Sequence, residues 1–498
     1  MTERSQPSPA GAPERTPDVA PSGVPAADSH SDGPRTAAVV LAGGKGTRMR
    51  SQRHKVLHQI AGKPMLWHVL VALDQAGVSR RDTVIVLGDG AQTVREAVEA
   101  LFGADAYRFV LQEPQLGTGH AAAVAREAVG EGAETVVVAF GDTPLLQPGT
   151  VQRLLRRHRQ GTAPLTLTTG HLRDPSGYGR IVRSGDEVRQ IIEDRDASDE
   201  QRGLTEVNSG FCAFSGPWLW SRLPRVQPAP NGELYLTALP AIAVAEGAGV
   251  GTLLLEDVTE AVGVNTRLQL AEAEQALRRR MVNHLLESGV TVQDPATTYV
   301  DAGVEVGADS VILANTHLNG STVVGRECVL GPNAIVRDSV LGERCRILAS
   351  LVDGATLEEE VAVGPFAHIR PGTHCGRGSS VGTGSEVNRS TLGAGTKMMH
   401  FGYLGDATVG ERVNVGAGTI TCNFDGERKH ATTMGDDAFV GSGTLLVAPV
   451  SLGQQTLTGA GTVVLRDVAD GARVVGVPAR QIGWRAGHEP PSVDRPVD

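Results

Sequence analysis

Aromatic residues are scarce, with nine Phe, four Trp and five Tyr making up 4% of the 498-residue chain. That scarcity disfavours an interior built on large rings and suits a narrow one lined by Val, Ile, Leu and Ala. Cysteine is also rare: Cys212, Cys328, Cys345, Cys375 and Cys422 are scattered, without a CxxC pair or a Cys/His cluster. A zinc ribbon and a disulfide scaffold are thereby excluded, and Cys328 and Cys375 read as small buried hydrophobes. No apolar run approaches the ~20 residues of a membrane helix. Basic residues number 46 against 56 acidic ones, a net charge of −10, so the basic stripe of a nucleic-acid binder is missing. Residues 1–35 lack the apolar core of a signal peptide and mix Pro, Ser, Ala, Asp and Glu, which predicts a disordered extension on a cytoplasmic protein. Residues 489–498 predict a frayed tail.

Glycine is abundant: 62 residues, about 12% of the chain against a usual ~7%. Much of the excess accompanies a six-residue beat in the C-terminal half. Val306, Ile312, Leu318, Val324, Leu330 and Val336 stand six apart, with Gly307, Gly325 and Gly331 following three of them. The beat returns at Val363, Ile369, Cys375, Val381 and Val387, and again through Leu404, Val409, Val415, Met434, Val440, Leu446 and Leu452. Six is a poor match to the 3.6-residue helical period. It fits a chain that turns a corner every six residues and sends one aliphatic side chain per side inward, with glycine easing the turns. The stretch from Val304 to Trp484 has room for roughly ten such coils. The polar stretch from Thr421 to His430 interrupts the beat, as a functional loop leaving a regular scaffold would.

The N-terminal half alternates differently. Apolar runs at Ala37–Leu41, Thr83–Leu87, Phe109–Gln112 and Thr135–Phe140 predict strands, and Met65–Gln75 and Thr93–Phe102 predict helices between them. This order predicts a mostly parallel sheet with its ligand at the carboxyl ends of the strands. The first strand runs into Gly43-Gly44-Lys45-Gly46-Thr47-Arg48-Met49, a way of offering backbone N–H groups to phosphate. The loop has neither the GxxxxGK[ST] nor the GxGxxG spacing, so glycine alone is weak evidence. Between the halves, Leu270, Ala273, Leu277, Met281 and Leu285 fall on one face of an amphipathic helix spanning Thr266–Ser288, with Arg278 to Arg280 partly on the other. Its expected role is spacing and capping.

The string Leu41-Ala42-Gly43-Gly44-Lys45-Gly46-Thr47-Arg48-Met49 with Lys55-Val56-Leu57-His58 resembles the sugar-1-phosphate nucleotidyltransferases. Leu111-Gln112, Leu116-Gly117-Thr118-Gly119-His120, Gly141-Asp142-Thr143-Pro144-Leu145, Gly177-Tyr178-Gly179-Arg180, Glu193, Asn208-Ser209-Gly210 and Val264-Asn265 follow in that family's order. Together with the six-residue repeat, they resemble the bacterial bifunctional UDP-N-acetylglucosamine pyrophosphorylases and glucosamine-1-phosphate N-acetyltransferases over about residues 36–486. The resemblance implies a Rossmann-like α/β nucleotidyltransferase domain (36–263), a linker helix (264–291) and a left-handed parallel β-helix acetyltransferase domain (292–488). It also implies a cytoplasmic homotrimer with sites between subunits and no membrane span.

By the same resemblance, Arg48 and Lys55 hold the triphosphate of UTP, and Asp142 with Asn265 holds Mg²⁺ through hard oxygen ligands. The UTP and UDP-sugar site takes in Leu41, Ala42, Gly43, Gly44, Gln112, Gly117, Thr118, Phe140 and Gly141, with Gly179, Glu193 and Asn208 on the sugar side. In the repeat, His400 is the implied base for acetyl transfer from acetyl-CoA. Arg370, Asn388, Tyr403 and Asn414 form the acceptor site, and Ala417, Asn423, Phe424, Ser442 and Ala460 the acetyl-CoA side, Asn423 also helping to orient the sugar. Some positions depart from the family pattern. His54 replaces a Pro and is expected to loosen the turn that aims Lys55. Ala238 replaces an Asp, Gly88-Asp89-Gly90 replaces Gly-His-Gly, and Phe424 replaces a Tyr. Asn388 replaces a phosphate-binding Lys, with Arg389 beside it. These changes leave two other readings open: a nucleotidyltransferase-only paralogue whose β-helix is a trimerisation scaffold, and an assembly subunit with silent catalytic domains.

Overall fold

A computed structural model describes residues 34–488. Apart from Pro34 and Arg35, the extension expected at 1–35 lies outside the described residues, as does the tail at 489–498.

The predicted strands of the front half form Thr36–Leu41, Thr83–Leu87, Arg108–Leu111 and Thr135–Phe140, parallel to one another. Their neighbours in the strand order are Glu206–Ser215, Leu165–His171 and, at the edge, Gly251–Leu254. Both faces are covered, so the strands are apolar throughout: Ala38 and Val40 pack into one core, Ala37 and Val39 into the other. The sheet departs from a purely parallel one at Glu206–Ser215, which runs antiparallel to both neighbours. Its register breaks between Asn208 and Cys212, a bulge of the kind that re-aims side chains beside a site.

The amphipathic helix spans Arg267–Glu287 and opens with a capping box between Thr266 and Gln269. Its front face contributes Ala273 to a small core with Met49, Ile60, Met65, Leu145 and Val264, while Val282 and Leu285 belong to the core of the solenoid. The arginines are not idle. Arg280 donates to Leu145 O (2.6 Å) and Asp257 (2.7 Å), and Arg278 lies over the Tyr299 ring at 4.2 Å.

From Thr291 onward, two- to five-residue strands stack into three parallel sheets of 12, 10 and 9 strands, the last strand of the first sheet, Arg480–Trp484, being antiparallel. This is the left-handed parallel β-helix implied by the repeat, with about ten coils. Ile312, Leu318, Leu330, Val336, Ile369, Cys375, Val387, Leu404, Val440 and Leu446 are all fully buried. Each such side chain contributes roughly 1.5–3 kcal/mol by leaving water. Cys328 is buried too.

The glycines act differently from the expectation at two of three positions. Gly331 has φ 96°, but Gly307 and Gly325 are required because a Cβ would lie 2.7 Å from the backbone of the next coil. Many left-handed corners carry other residues instead, such as Asp309, Asn315, Glu327 and Asn333. Asn and Asp tolerate that conformation through local hydrogen bonds.

Candidate functional site

The first site lies at the carboxyl ends of the parallel strands, where two adjoining hollows share Thr118, Phe140 and Asp142. The first hollow is lined by Leu41, Ala42, Gly43, Gly44, Lys55, Gln112 and Gly117, and the second by Gly179, Glu193, Asn208 and Asn265. Gly141 lies behind the floor, where a Cβ would press on Leu66 and Ala42 at 3.2–3.3 Å.

Local structure explains the convergence. Gly46, at φ 62°, leaves room for Lys55, whose Cβ would lie 2.6 Å from an added methyl. Lys55 Nζ then forms an ion pair with Asp142 and donates to Asn265 Oδ1 at 3.1 Å. Asn265 reaches this point because Val264 N donates to Asp142 O (2.8 Å) and Asn265 N donates to Gln269 Oε1 (2.8 Å). The start of the connecting helix therefore positions a site residue as well as spacing two domains. Two oxygens on chain segments far apart in sequence converge on one cation, the arrangement a divalent metal also needs.

Arg48 is exposed on the turn Thr47–Met49, which buried Met49 anchors, and lines neither hollow. The turn before Lys55 is not loosened by His54. His54 sits at φ −57°, a value proline itself takes, and Leu57 N donates to His54 O at 3.0 Å. Its ring packs 3.2 Å from where a Gly90 side chain would begin. Burial, then the charge of Lys55, pushes its pKa down.

Sequence reasoning missed several residues here. Gln115 donates to Gly43 O (2.7 Å) and lines the first hollow with Glu233. Tyr178 and Thr237 line the second, Thr237 donating to Glu193 at 2.6 Å. Only Tyr178 stands in a string already noted; Gln115 lies two residues before Gly117 and Thr237 one before Ala238.

The second set of residues lies on the solenoid. His400, Ala417, Ser442 and Ala460 stack at one corner: Gly418 N donates to Phe401 O (2.6 Å), Gly443 N to Ala417 O (2.6 Å) and Gly461 N to Ser442 O (2.8 Å). A sequence signal for the column was available in the quartets Gly416-Ala417-Gly418-Thr419, Gly441-Ser442-Gly443-Thr444 and Gly459-Ala460-Gly461-Thr462. In each, the Thr hydroxyl donates to the first glycine's carbonyl at 2.6–2.7 Å. Arg370, Asn388 and Tyr403 occupy the adjoining flat side, where Glu386 is in register with Tyr403. Asn414 lies on the strand that leads into the corner. Arg370 donates to Glu386 at 2.7 Å, a partner the sequence reading missed.

Arg389 does not stand in for a lysine at 388. It is a corner residue at φ 45°, and its guanidinium donates to both Asp406 oxygens at 2.7 and 2.9 Å. Asp406 also accepts from Asn423 Nδ2 at 2.5 Å, and Arg389 and then Asn423 hold its carboxyl below the usual range. The loop after Asn423 lengthens its coil and is closed by His430 Nε2 against Asp425 at 2.7 Å. Phe424, on that loop, is exposed.

A glycine loop and a carboxylate at the ends of parallel strands, joined to a six-residue solenoid, define a nucleotidyltransferase with an appended β-helix. Residues 38–206 match the family model of the MobA-like NTP transferase domain. The bifunctional protein GlmU of Heliobacterium modesticaldum is 44% identical over 88% of this chain and 94% of its own. Those of Trichlorobacter lovleyi and Thermotoga petrophila are 44% and 43% identical, each over 90% of this chain and 98% of theirs. The chain belongs to the bifunctional GlmU family.

Proposed function

We infer that the protein makes UDP-N-acetylglucosamine with two separate sites. The solenoid acetylates glucosamine 1-phosphate with acetyl-CoA, and the sheet domain transfers UMP from UTP to N-acetylglucosamine 1-phosphate, releasing pyrophosphate. The observation that carries the reading is the pair of hollows meeting at Asp142, one against the glycine loop and one against Glu193 and Asn208, which supports a nucleotide and a sugar phosphate side by side.

In the sheet domain no covalent intermediate is needed, so orientation and charge neutralisation supply the rate. Lys55, with Arg48 drawn in from the loop, neutralises the triphosphate, while Gln112 and Thr118 hold the base side and Glu193 and Asn208 the sugar. Asp142 and Asn265 would hold Mg²⁺. Among the described residues no group of three or more His, Cys, Asp or Glu could hold a metal, and Asp142 and Asn265 are the side chains that would offer the ion hard oxygens here. When bound, the ion neutralises charge on the phosphates.

In the solenoid, His400 takes the proton from the attacking amine as the acetyl thioester carbon is attacked and the CoA thiolate leaves. His400, Ser442, Ala460 and Phe424 are exposed on the single chain, which supports a site completed by a neighbouring copy in a homotrimer. Among the described residues no helix is long and apolar enough to cross a membrane; we assign the enzyme to the cytoplasm.

The test follows free thiol from glucosamine 1-phosphate and acetyl-CoA beside pyrophosphate from N-acetylglucosamine 1-phosphate and UTP. Both signals are expected. A buried Asn388 and an Arg389 engaged by Asp406 favour one other outcome, pyrophosphate without thiol, which would mark the solenoid as a scaffold.

A further inference from the structure

We propose that His120 is a positioning residue that makes the nucleotide site selective for a base carrying a ring N–H, by occupying the second donor of the Gln112 amide. The inference rests on reading the glycine-loop hollow as the nucleotide site. Gln112 is 7% exposed, and its backbone N–H still donates to Leu87 O at 2.8 Å. Its Nε2 donates to Gly117 O at 2.9 Å and lies 3.2 Å from His120 Nδ1.

A carbonyl oxygen only accepts, so turning the amide over would set two oxygens against each other. Gly117 and His120 together fix which way the amide faces, each taking one of its two N–H groups. Among the described residues Oε1 makes no hydrogen bond and is what remains. The amide is then an acceptor only. Uracil offers N3–H to such an acceptor, whereas cytosine presents a lone pair at N3.

The imidazole is held for this task by rigid neighbours. Gly119 N donates to Leu234 O at 2.7 Å and Leu236 N to Thr118 Oγ1 at 3.0 Å, pinning the start of helix Thr118–Val124. With Nδ1 accepting, the proton sits on Nε2, and the ring borders a separate hollow formed with Trp220, Leu223 and Val226.

The test measures kcat and KM for pyrophosphate release with UTP and with CTP in the wild type, His120→Phe and His120→Asn, with thermal transitions as a fold control. His120→Leu is a second deletion should the Phe variant not fold. Asn keeps an acceptor oxygen where Nδ1 was. The deletion is expected to lower UTP-over-CTP discrimination on the order of tenfold, through KM more than kcat, as the loss of one hydrogen bond allows, and Asn is expected to restore most of it. A folded deletion variant with the wild-type ratio would overturn the proposal, as would an Asn variant as unselective as the deletion. Wild-type protein inactive with UTP would instead sink the nucleotide reading beneath it.

Discussion

The two halves of the molecule build their sites in opposite ways. In the sheet domain, strand ends and a capped helix draw residues far apart in sequence onto one point, so that Lys55 touches Asp142 and Asn265 at once. In the solenoid, every coil repeats the same corner, and site residues stay where the repeat puts them, His400 at the corner and Tyr403 on the flat side. The sheet makes a cleft within one chain, whereas the rod presents His400, Ser442 and Ala460 on an exposed surface. A periodic scaffold gives precise spacing and little concavity.

If the two sites are separate, single changes must silence them separately. Asp142→Ala is expected to lower pyrophosphate release on the order of 10³-fold while leaving thiol release unchanged, since on the proposed reading it removes the carboxylate that would hold a phosphate-neutralising cation. Loss of both activities in a folded protein would break the comparison. His400→Ala should do the reverse, lowering thiol release by roughly 10²–10⁴-fold, and a variant of normal thiol production would move the base elsewhere.

The junction offers a third test. His68 is buried, its Nε2 lies 3.0 Å from Ile60 O, and burial lowers its pKa to about 4. The unfolded chain binds a proton here near pH 6.5 and the folded one does not, so stability falls as pH drops from about 6.5 to about 4, by on the order of 3 kcal/mol in all. Melting curves across that window should show the slope, and His68→Leu should flatten it even if the whole curve is lower. An unchanged slope in the variant would assign the effect to other groups.

Arg389→Ala should have the smallest effect. The pair with Asp406 is partly exposed and worth roughly 0.2–1 kcal/mol, so thiol release should change by less than about fivefold. A collapse of acetyl transfer would mean that Arg389 leaves Asp406 to serve the acceptor phosphate, bringing the rod closer to the convergent design of the sheet.

Much of this was legible in the residues. The six-residue beat names the inward side chains almost one by one, because a repeating coil has the same environment at each equivalent position. The strand runs ending in Gly43 and Gly141 likewise place the first site, because in a parallel sheet the carboxyl ends are where loops meet. Less legible were Gln115, Thr237 and Glu386, whose partners lie on other elements: Gly43, Glu193 and Arg370. The fate of His54 was misread because only the surrounding fold reveals that its backbone holds a proline-like angle and that Gly90 makes room for its ring.

By itself the sequence determined the two architectures, their order and the family, since periodicity and local motifs are properties of the chain. Tertiary structure alone decided that Arg389 is engaged by Asp406, that the helix cap delivers Asn265 to Asp142, and that His120 takes the spare donor of Gln112. Each is a contact between separate elements, and hydrogen bonds depend on angstroms and angles that spacing along a chain does not encode.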